Sequence, residues 1–280
     1  MHDIPSERGE YMKYKMIVSD YDDTLIGASY SVSDRTRDAV NKYVTAGGRF
    51  VLATGRMYPS IRPVAKELNL KGEIISNQGG MICDIETDKV LFQSGIETGA
   101  VIQFLRFLEG RGIICHAYDA DNYYVAGPNP FTDIYASYCG VQPVYAYTKL
   151  SEHIKTNGIK IIKMIAVLDP DKIPSLISEA KSIFGNRLLI NSSKNWIMEA
   201  VSINVSKGAA VKLIAEKYGI RREEIICIGD ATNDLTMIEY AGLGVAVDNA
   251  VKEIKDAAGY IAPGCDEDGV AHVIEHIALQ

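Results

Sequence analysis

The feature that most restricts the fold of this chain is a repeated unit: a short, nearly uninterrupted apolar run that stops at a polar loop. Lys15-Met16-Ile17-Val18-Ser19 stops at Asp20, and Arg49 to Ala53 stops at Thr54-Gly55-Arg56. Runs without polar alternation are those of strands covered on both faces, as in a parallel sheet. Between them lies helical patterning from Ser33, a candidate N-cap, through Asp34 to Ala46, closed by Gly47-Gly48. A second helix is expected near Pro59–Leu68, with proline in its first turn, and a third strand at Glu73–Ser76. Alternating strand and helix predicts βαβ units and an α/β fold.

The same rhythm returns later. A helix is predicted over Lys207–Tyr218, a strand over Glu224–Ile228, a helix near Asp234–Tyr240 and a strand over Leu243–Val247, followed by elements at Tyr260–Ala262 and Val270–Leu279. Between roughly residues 90 and 195 the pattern changes to paired strands with helices. Ile113–Ala117 and Tyr123–Ala126 flank a hairpin turn at Asp121-Asn122; Ile159–Leu168 and Leu188–Asn191 are further strands, and Pro174–Phe184 is an amphipathic helix. A chain of 280 residues suits two domains at about 100–200 residues each. The expected division is an N-terminal extension over 1–14, a core over 15–89 and 196–280, and an inserted α+β domain over 90–195.

Charge narrows the partners. Lys plus Arg number 29 against 36 for Asp plus Glu, a net charge of −7, so there is no general positive field for nucleic acid or an anionic membrane. A phosphorylated small molecule would have to be held by a few local donors and a metal. No apolar run approaches the roughly 20 residues that cross a bilayer, and MHDIPSERGE lacks a signal-peptide core, so a cytoplasmic protein is expected. Cys83, Cys115, Cys139, Cys227 and Cys265 are scattered, odd in number and without a CxxC pair, which reads as buried thiols, not a disulfide framework or a zinc site. No stretch calls for a protein partner or specifies an oligomeric state.

In an open α/β sheet the ligand crevice lies at the carboxyl ends of the strands. Here those ends carry Asp20-Tyr21-Asp22-Asp23-Thr24, Thr54-Gly55-Arg56 and Gly229-Asp230-Ala231-Thr232-Asn233-Asp234. One acidic run can be a solvated face or a helix cap; two facing each other would repel unless they share a cation. Mg²⁺ takes oxygen ligands, and Asp20 with Asp230, completed by a backbone carbonyl near Asp22, supplies them. A carboxylate neutralised in this way can attack an anionic phosphoryl group to give an acyl phosphate. Asp22, two residues on, can protonate the departing alcohol and deprotonate the attacking water. Thr54 and Gly55 offer a hydroxyl and backbone N–H groups, and Lys207 an ammonium at a helix start, as phosphate donors. Taken singly, Thr-Gly is equally a turn, and Lys207 beside Gly208 a solvated helix start.

Together these segments resemble the haloacid dehalogenase-like superfamily. DxDxT matches Asp20, Asp22 and Thr24; the second motif is Thr54; the third is Lys207; and GDxxND matches Gly229, Asp230, Asn233 and Asp234. The insertion between Thr54 and Lys207, with Ser76-Asn77-Gln78-Gly79-Gly80 before it and Val205-Ser206-Lys207-Gly208 after it, resembles the Cof-type members of subclass IIB. The resemblance implies a Rossmann-like three-layer core with a mostly parallel sheet and a type C2B α+β cap. It implies Asp20 as nucleophile and Mg²⁺ ligand, Asp22 as acid–base residue and ligand through its carbonyl, Asp230 as third ligand and Asp234 as the residue orienting that shell. Thr54, Gly55, Lys207 and Asn233 would bind the transferring phosphate. Asp23 stands where many members have glycine, and Gln78-Gly79-Gly80 replaces a commoner Asn-Gly-Ala run.

The implied activity is hydrolysis of phosphate monoesters of small metabolites such as sugar phosphates. The alternatives are a phosphotransferase or phosphomutase on the same machinery, and a non-catalytic cation-binding module. An ion-pumping ATPase would need membrane spans. Arg56 reads as a substrate contact or as the partner of a core carboxylate, and Glu199 as facing the site or as a buried paired acid. Tyr118, Asp119, Asn122, Tyr123, Tyr124 and Trp196 read as cap core before ligand contacts, and His116 as a satisfied core side chain.

Overall fold

The structure, a computed structural model, describes residues 12–280. The expected extension over residues 1–14 lies outside that range apart from its last residues, where Tyr14 is buried and its carbonyl accepts a 2.8 Å hydrogen bond from the Tyr43 hydroxyl.

In chain order, β1 (Met16–Ser19), α1 (Asp34–Thr45), β2 (Arg49–Ala53), α2 (Tyr58–Glu67), β3 (Glu73–Ser76), β4 (Met81–Asp84) and β5 (Val90–Gln93) build one half of the first sheet. The inserted segment follows, with α3 (Thr98–Glu109), β6 (Ile114–Tyr118), β7 (Tyr123–Val125), α4 (Pro130–Cys139), β8 (Val144–Tyr145), α5 (Leu150–Asn157), β9 (Lys163–Val167), α6 (Ile173–Phe184), β10 (Leu188–Lys194) and β11 (Ile197–Ser202). The chain then returns with α7 (Lys207–Tyr218), β12 (Ile225–Gly229), α8 (Leu235–Tyr240), β13 (Leu243–Val247), α9 (Lys252–Ala257), β14 (Tyr260–Ala262) and α10 (Gly269–Val273).

The first sheet has eight strands in the order β14-β13-β12-β1-β2-β3-β4-β5. Neighbours from β14 to β3 are parallel, and β4 and β5 add an antiparallel edge. Met16, Ile17 and Val18 are fully buried, as two-sided coverage by helices requires; each such side chain contributes about 1.5–3 kcal/mol relative to exposure. Helix α1 starts where Ser33 Oγ accepts the Thr36 N–H at 3.0 Å, a cap contributing about 1 kcal/mol, and it buries Ala39, Val40 and Tyr43 against the sheet.

Register positions the site. Ser19 in β1 is level with Ile228 in β12 on one side and Leu52 in β2 on the other. The chain therefore emerges at Asp20, Thr54 and Asp230 at the same edge of the sheet.

The second sheet has six strands in the order β10-β11-β9-β6-β7-β8 and is antiparallel except between β7 and β8. Its helices α3, α5 and α6 cover one face, with Phe104, Leu105, Ile154 and Phe184 buried against Met164 and Met198. Both expected division points shift. β5, beginning at Val90, still pairs in the first sheet, and β11, expected with the core from residue 196, pairs with β10 and β9 in the second. The reason is local: only Asn195-Trp196 separates β10 from β11, and so short a connection makes the two strands antiparallel neighbours. No helix among the described residues is long and apolar enough to cross a membrane. All five cysteines are free; Cys83, Cys115, Cys139 and Cys227 are buried as expected, whereas Cys265 is partly exposed.

Candidate active site

Asp20 leaves the end of β1 with its N–H held by the Ile228 carbonyl at 2.9 Å, and the residue is buried. Its Oδ1 accepts a 2.7 Å hydrogen bond from Lys207 Nζ, and the same ammonium donates to Asp234 Oδ1 at 2.5 Å. Asp234 Oδ2 accepts the N–H groups of Asp230 and Ala231, both at 3.0 Å, so Asp234 props the loop that presents Asp230. Asp230 Oδ1 accepts from the Thr24 hydroxyl at 2.7 Å, tying the two acidic loops together. A Cβ at Gly229 would lie 2.6 Å from the Asp234 Cβ, which is why the residue before Asp230 has no side chain.

The electrostatics follow from this convergence. One ammonium faces three carboxylates with little water around them. Burial, and then the carboxylates of Asp234 and Asp230, hold Asp20 well above the ordinary carboxylate range despite Lys207. Burial and then Asp234 push Asp230 up to about 7. Burial alone would lower the Lys207 value, but Asp20 and Asp234 outweigh it and raise it. Oxygen atoms of Asp20, Asp230 and Asp234 lie within 4.8 Å of one another. An oxygen-only, over-acidic set of this size fits a hard divalent cation, which would supply the missing positive charge.

Asp22 is held differently. Arg56 Nε donates to its Oδ2 at 2.9 Å and Arg56 Nη2 to its Oδ1 at 2.7 Å, a two-pronged ion pair; Oδ1 also accepts a 2.5 Å hydrogen bond from the Tyr138 hydroxyl on α4. Arg56 thus pairs with an acid of the site itself, a partner its sequence reading did not name. Asp23, at φ 62°, turns outward and is ion-paired with Lys194 at the end of β10. Thr54 is buried, and its Oγ1 accepts the Arg56 N–H at 3.0 Å. The Gly55 carbonyl accepts from Lys163 Nζ at 2.5 Å; a Cβ on Gly55 would stand 2.5 Å from Gln78 Nε2. Asn233 Nδ2 donates to Gln78 Oε1 at 2.9 Å, and Gln78 Nε2 donates to Glu199 Oε2 at 2.8 Å, a chain running from the first sheet into the second.

Asp20, Asp22, Thr54, Gly55, Asp230 and Asn233 line one cavity of about 50 Å³, roofed by Tyr138, Lys163, Lys194, Trp196 and Glu199. Lys207 and Asp234 sit behind this wall, fully buried, where a mobile ammonium was expected for Lys207. The buried acids hold it in place. Of the roof, sequence reasoning weighs Glu199 and Trp196 and does not reach Tyr138, Lys163 and Lys194. Glu199 is both a buried acid and a lining residue, and Trp196 lines the cavity, whereas Tyr118 and Tyr123 are core. Asp119 accepts from the N–H groups of Asp121 and Asn122 and from the Tyr124 hydroxyl, organising the hairpin turn. His116 is fully buried 3.1 Å from Thr132 Oγ1, and burial, with Lys163 adding, depresses its value to about 3.

Comparison with known proteins supplies the family. The family model of the haloacid dehalogenase-like hydrolases matches residues 17–274. The chain is 31% identical over 271 residues to YxeH of Bacillus subtilis, which bears the name of a phosphatase, covering 95% of this chain and 99% of that one. Its fold matches the crystal structure of a haloacid dehalogenase-like hydrolase from Bacteroides thetaiotaomicron with a TM-score of 0.83 and 31% identity, over 95% of this chain and 100% of that one. The subclass IIB sugar phosphatase BT4131 shares the fold at a TM-score of 0.81 and 22% identity, over 95% of this chain and 100% of that one. The chain belongs to the haloacid dehalogenase-like hydrolases. It is a phosphatase of the Cof type.

Proposed function

We propose that the protein hydrolyses phosphate monoesters of small metabolites, sugar phosphates among them, through an aspartyl-phosphate on Asp20 with Mg²⁺ as the cation. The observation that carries this reading is the convergence of Asp20, Asp230 and Asp234, with oxygens within 4.8 Å of one another, Lys207 bonded to Asp20 and Asp234, and Asp22 in the same cavity. Asp20, Asp230 and the Asp22 carbonyl would hold the cation, whose charge neutralises the carboxylates and the phosphoryl oxygens. Lys207 fixes Asp20 Oδ1 and with it the plane of the nucleophilic carboxylate. As an Asp20 oxygen bonds to phosphorus, the bond to the leaving oxygen breaks, and Asp22, entering the step in its acid form, delivers its proton to that oxygen and is left as the carboxylate that Arg56 and Tyr138 grip. Water then attacks phosphorus, gives its proton to Asp22, and the Asp20–phosphorus bond breaks. Thr54, the Gly55 N–H and Asn233, which line the cavity, would hold the phosphoryl oxygens.

The test is hydrolysis of an aryl phosphate by purified protein with Mg²⁺, with EDTA, and after Asp20→Asn. Turnover is expected only with the metal and with Asp20, and a phosphorylated Asp20 peptide should be trapped by rapid acid quench. Turnover that persists in EDTA or in Asp20→Asn would sink the reading.

A further inference from the structure

We infer that Tyr138, on the inserted segment, is a positioning residue for Asp22, so that the acid–base group is fully oriented only when the second sheet is seated over the first. This inference rests on the role proposed for Asp22.

The geometry is that of a clamp built from both halves of the molecule. From the first-sheet side, Arg56 engages both carboxylate oxygens of Asp22. From the other side, the Tyr138 hydroxyl donates to Oδ1 at 2.5 Å across a separation of 116 residues in sequence. The Arg56 guanidinium lies between two rings, with its carbon 4.9 Å from the centre of Tyr21 and 4.2 Å from that of Tyr138; Arg56 Nη1 also donates to the Tyr138 carbonyl at 3.4 Å. Tyr138 thus contacts Asp22 directly and packs on the group that grips it. Arg56 and Asp22 keep only 11% and 18% of their side-chain exposure, so these charged contacts are shielded from solvent competition. A carboxyl group free to rotate would spend part of its time pointing away from the leaving oxygen, and proton transfer requires it within hydrogen-bond reach. Arg56 restrains both oxygens from the first-sheet side, and the Tyr138 hydroxyl adds a donor to Asp22 that comes with the inserted segment. Ester cleavage that needs a proton donor is thereby coupled to closure, which limits it to substrates that fit beneath the roof.

The experiment compares two substrates in the presence of Mg²⁺: p-nitrophenyl phosphate, whose leaving group departs without protonation, and a sugar phosphate, whose alkoxide does not. Tyr138→Phe, which removes only the hydroxyl, should lower kcat on the sugar phosphate at least about tenfold more than on the aryl ester, within the span attributed to general acid catalysis. Its KM for the sugar phosphate should stay within about twofold, because the ring and its stacking remain. Arg56→Lys, which keeps the charge but loses the fork, should give the same leaving-group bias through the other arm of the clamp, and so serves if Tyr138→Phe fails to fold. Equal losses on both esters, or none, would overturn the inference. Asp22→Asn run on the same pair separates it from its parent reading. If Asp22→Asn shows the leaving-group bias and both clamp variants do not, only the positioning role falls; if Asp22→Asn cleaves the sugar phosphate at the wild-type rate, the acid–base role falls with it.

Discussion

The ammonium of Lys207 lies 2.7 Å from Oδ1 of Asp20, at a point where the lysine side chain has no exposure and the aspartate 8%. Lys207→Met leaves Asp20 and Asp234 buried without their shared cation. Breaking a buried pair from one side costs about 3–5 kcal/mol, so the variant should melt well below wild type without divalent metal and recover part of the loss when Mg²⁺ is added. A melting temperature equal to wild type in EDTA would show that the ion pair does not balance the site.

Asp230 supplies a pH dependence with a definite sign. Its carboxyl is pushed from 3.8 up to about 7, so in the cation-free folded protein it keeps a proton that the unfolded chain releases. That contribution is fully present below pH 3.8 and is lost as pH rises through about 7, and the upward shift of Asp20 acts in the same direction. Thermal melts in EDTA should therefore show wild type losing stability relative to Asp230→Asn as pH is raised from about 5 to 8, with Mg²⁺ abolishing the difference. A difference that does not change with pH would contradict the shift.

Lys194 and Asp23 form an ion pair between the two sheets, with side chains 25% and 49% exposed. At that exposure the pair contributes about 0–1 kcal/mol and is screened by salt. Lys194→Met should raise KM for a small phosphate ester by no more than about fivefold and should flatten the salt dependence of KM, with kcat largely retained. Steady-state kinetics at low and high ionic strength decide it; an undiminished salt dependence would mean that other charges dominate closure.

Gly55 has no room for a side chain, because a Cβ would stand 2.5 Å from Gln78 Nε2. Gly55→Ala should push Gln78 out of its bonds to Glu199 and Asn233 and lower activity. In a double-mutant cycle, Gly55→Ala in a Gln78→Ala background should cost much less than in wild type, because the obstructed group is already gone. Additive losses would place the effect of Gly55→Ala elsewhere, in the backbone of the Thr54–Arg56 turn.

Much of the first sheet is readable along the chain. The run Arg49–Ala53 has the bounds of β2, Glu73–Ser76 those of β3, and Ser33 is the cap of α1, because two-sided burial and capping are written in adjacent residues. The edge strands β4 and β5 escaped that reading: Val90-Leu91-Phe92 is an apolar run too short to tell strand from helix, and the exposure of Val90 and Leu91 at the sheet edge is not written in it. β11 was placed with the wrong sheet because an apolar run does not name its neighbours, although the short Asn195-Trp196 connection to β10 was visible.

Local patterning by itself determined that Asp20, Thr54 and Asp230 stand at strand ends and that one insertion separates the halves, since backbone periodicity and loop chemistry act within a few residues. Only the tertiary structure decided that Lys207 is buried between Asp20 and Asp234, that Arg56 grips Asp22, and that Tyr138 and Lys194 descend from the insertion onto Asp22 and Asp23. Those contacts depend on how one packed layer docks on another. Docking is set by the summed shape and charge of surfaces whose contacting residues lie from 27 to 187 positions apart, and no short window of sequence contains it.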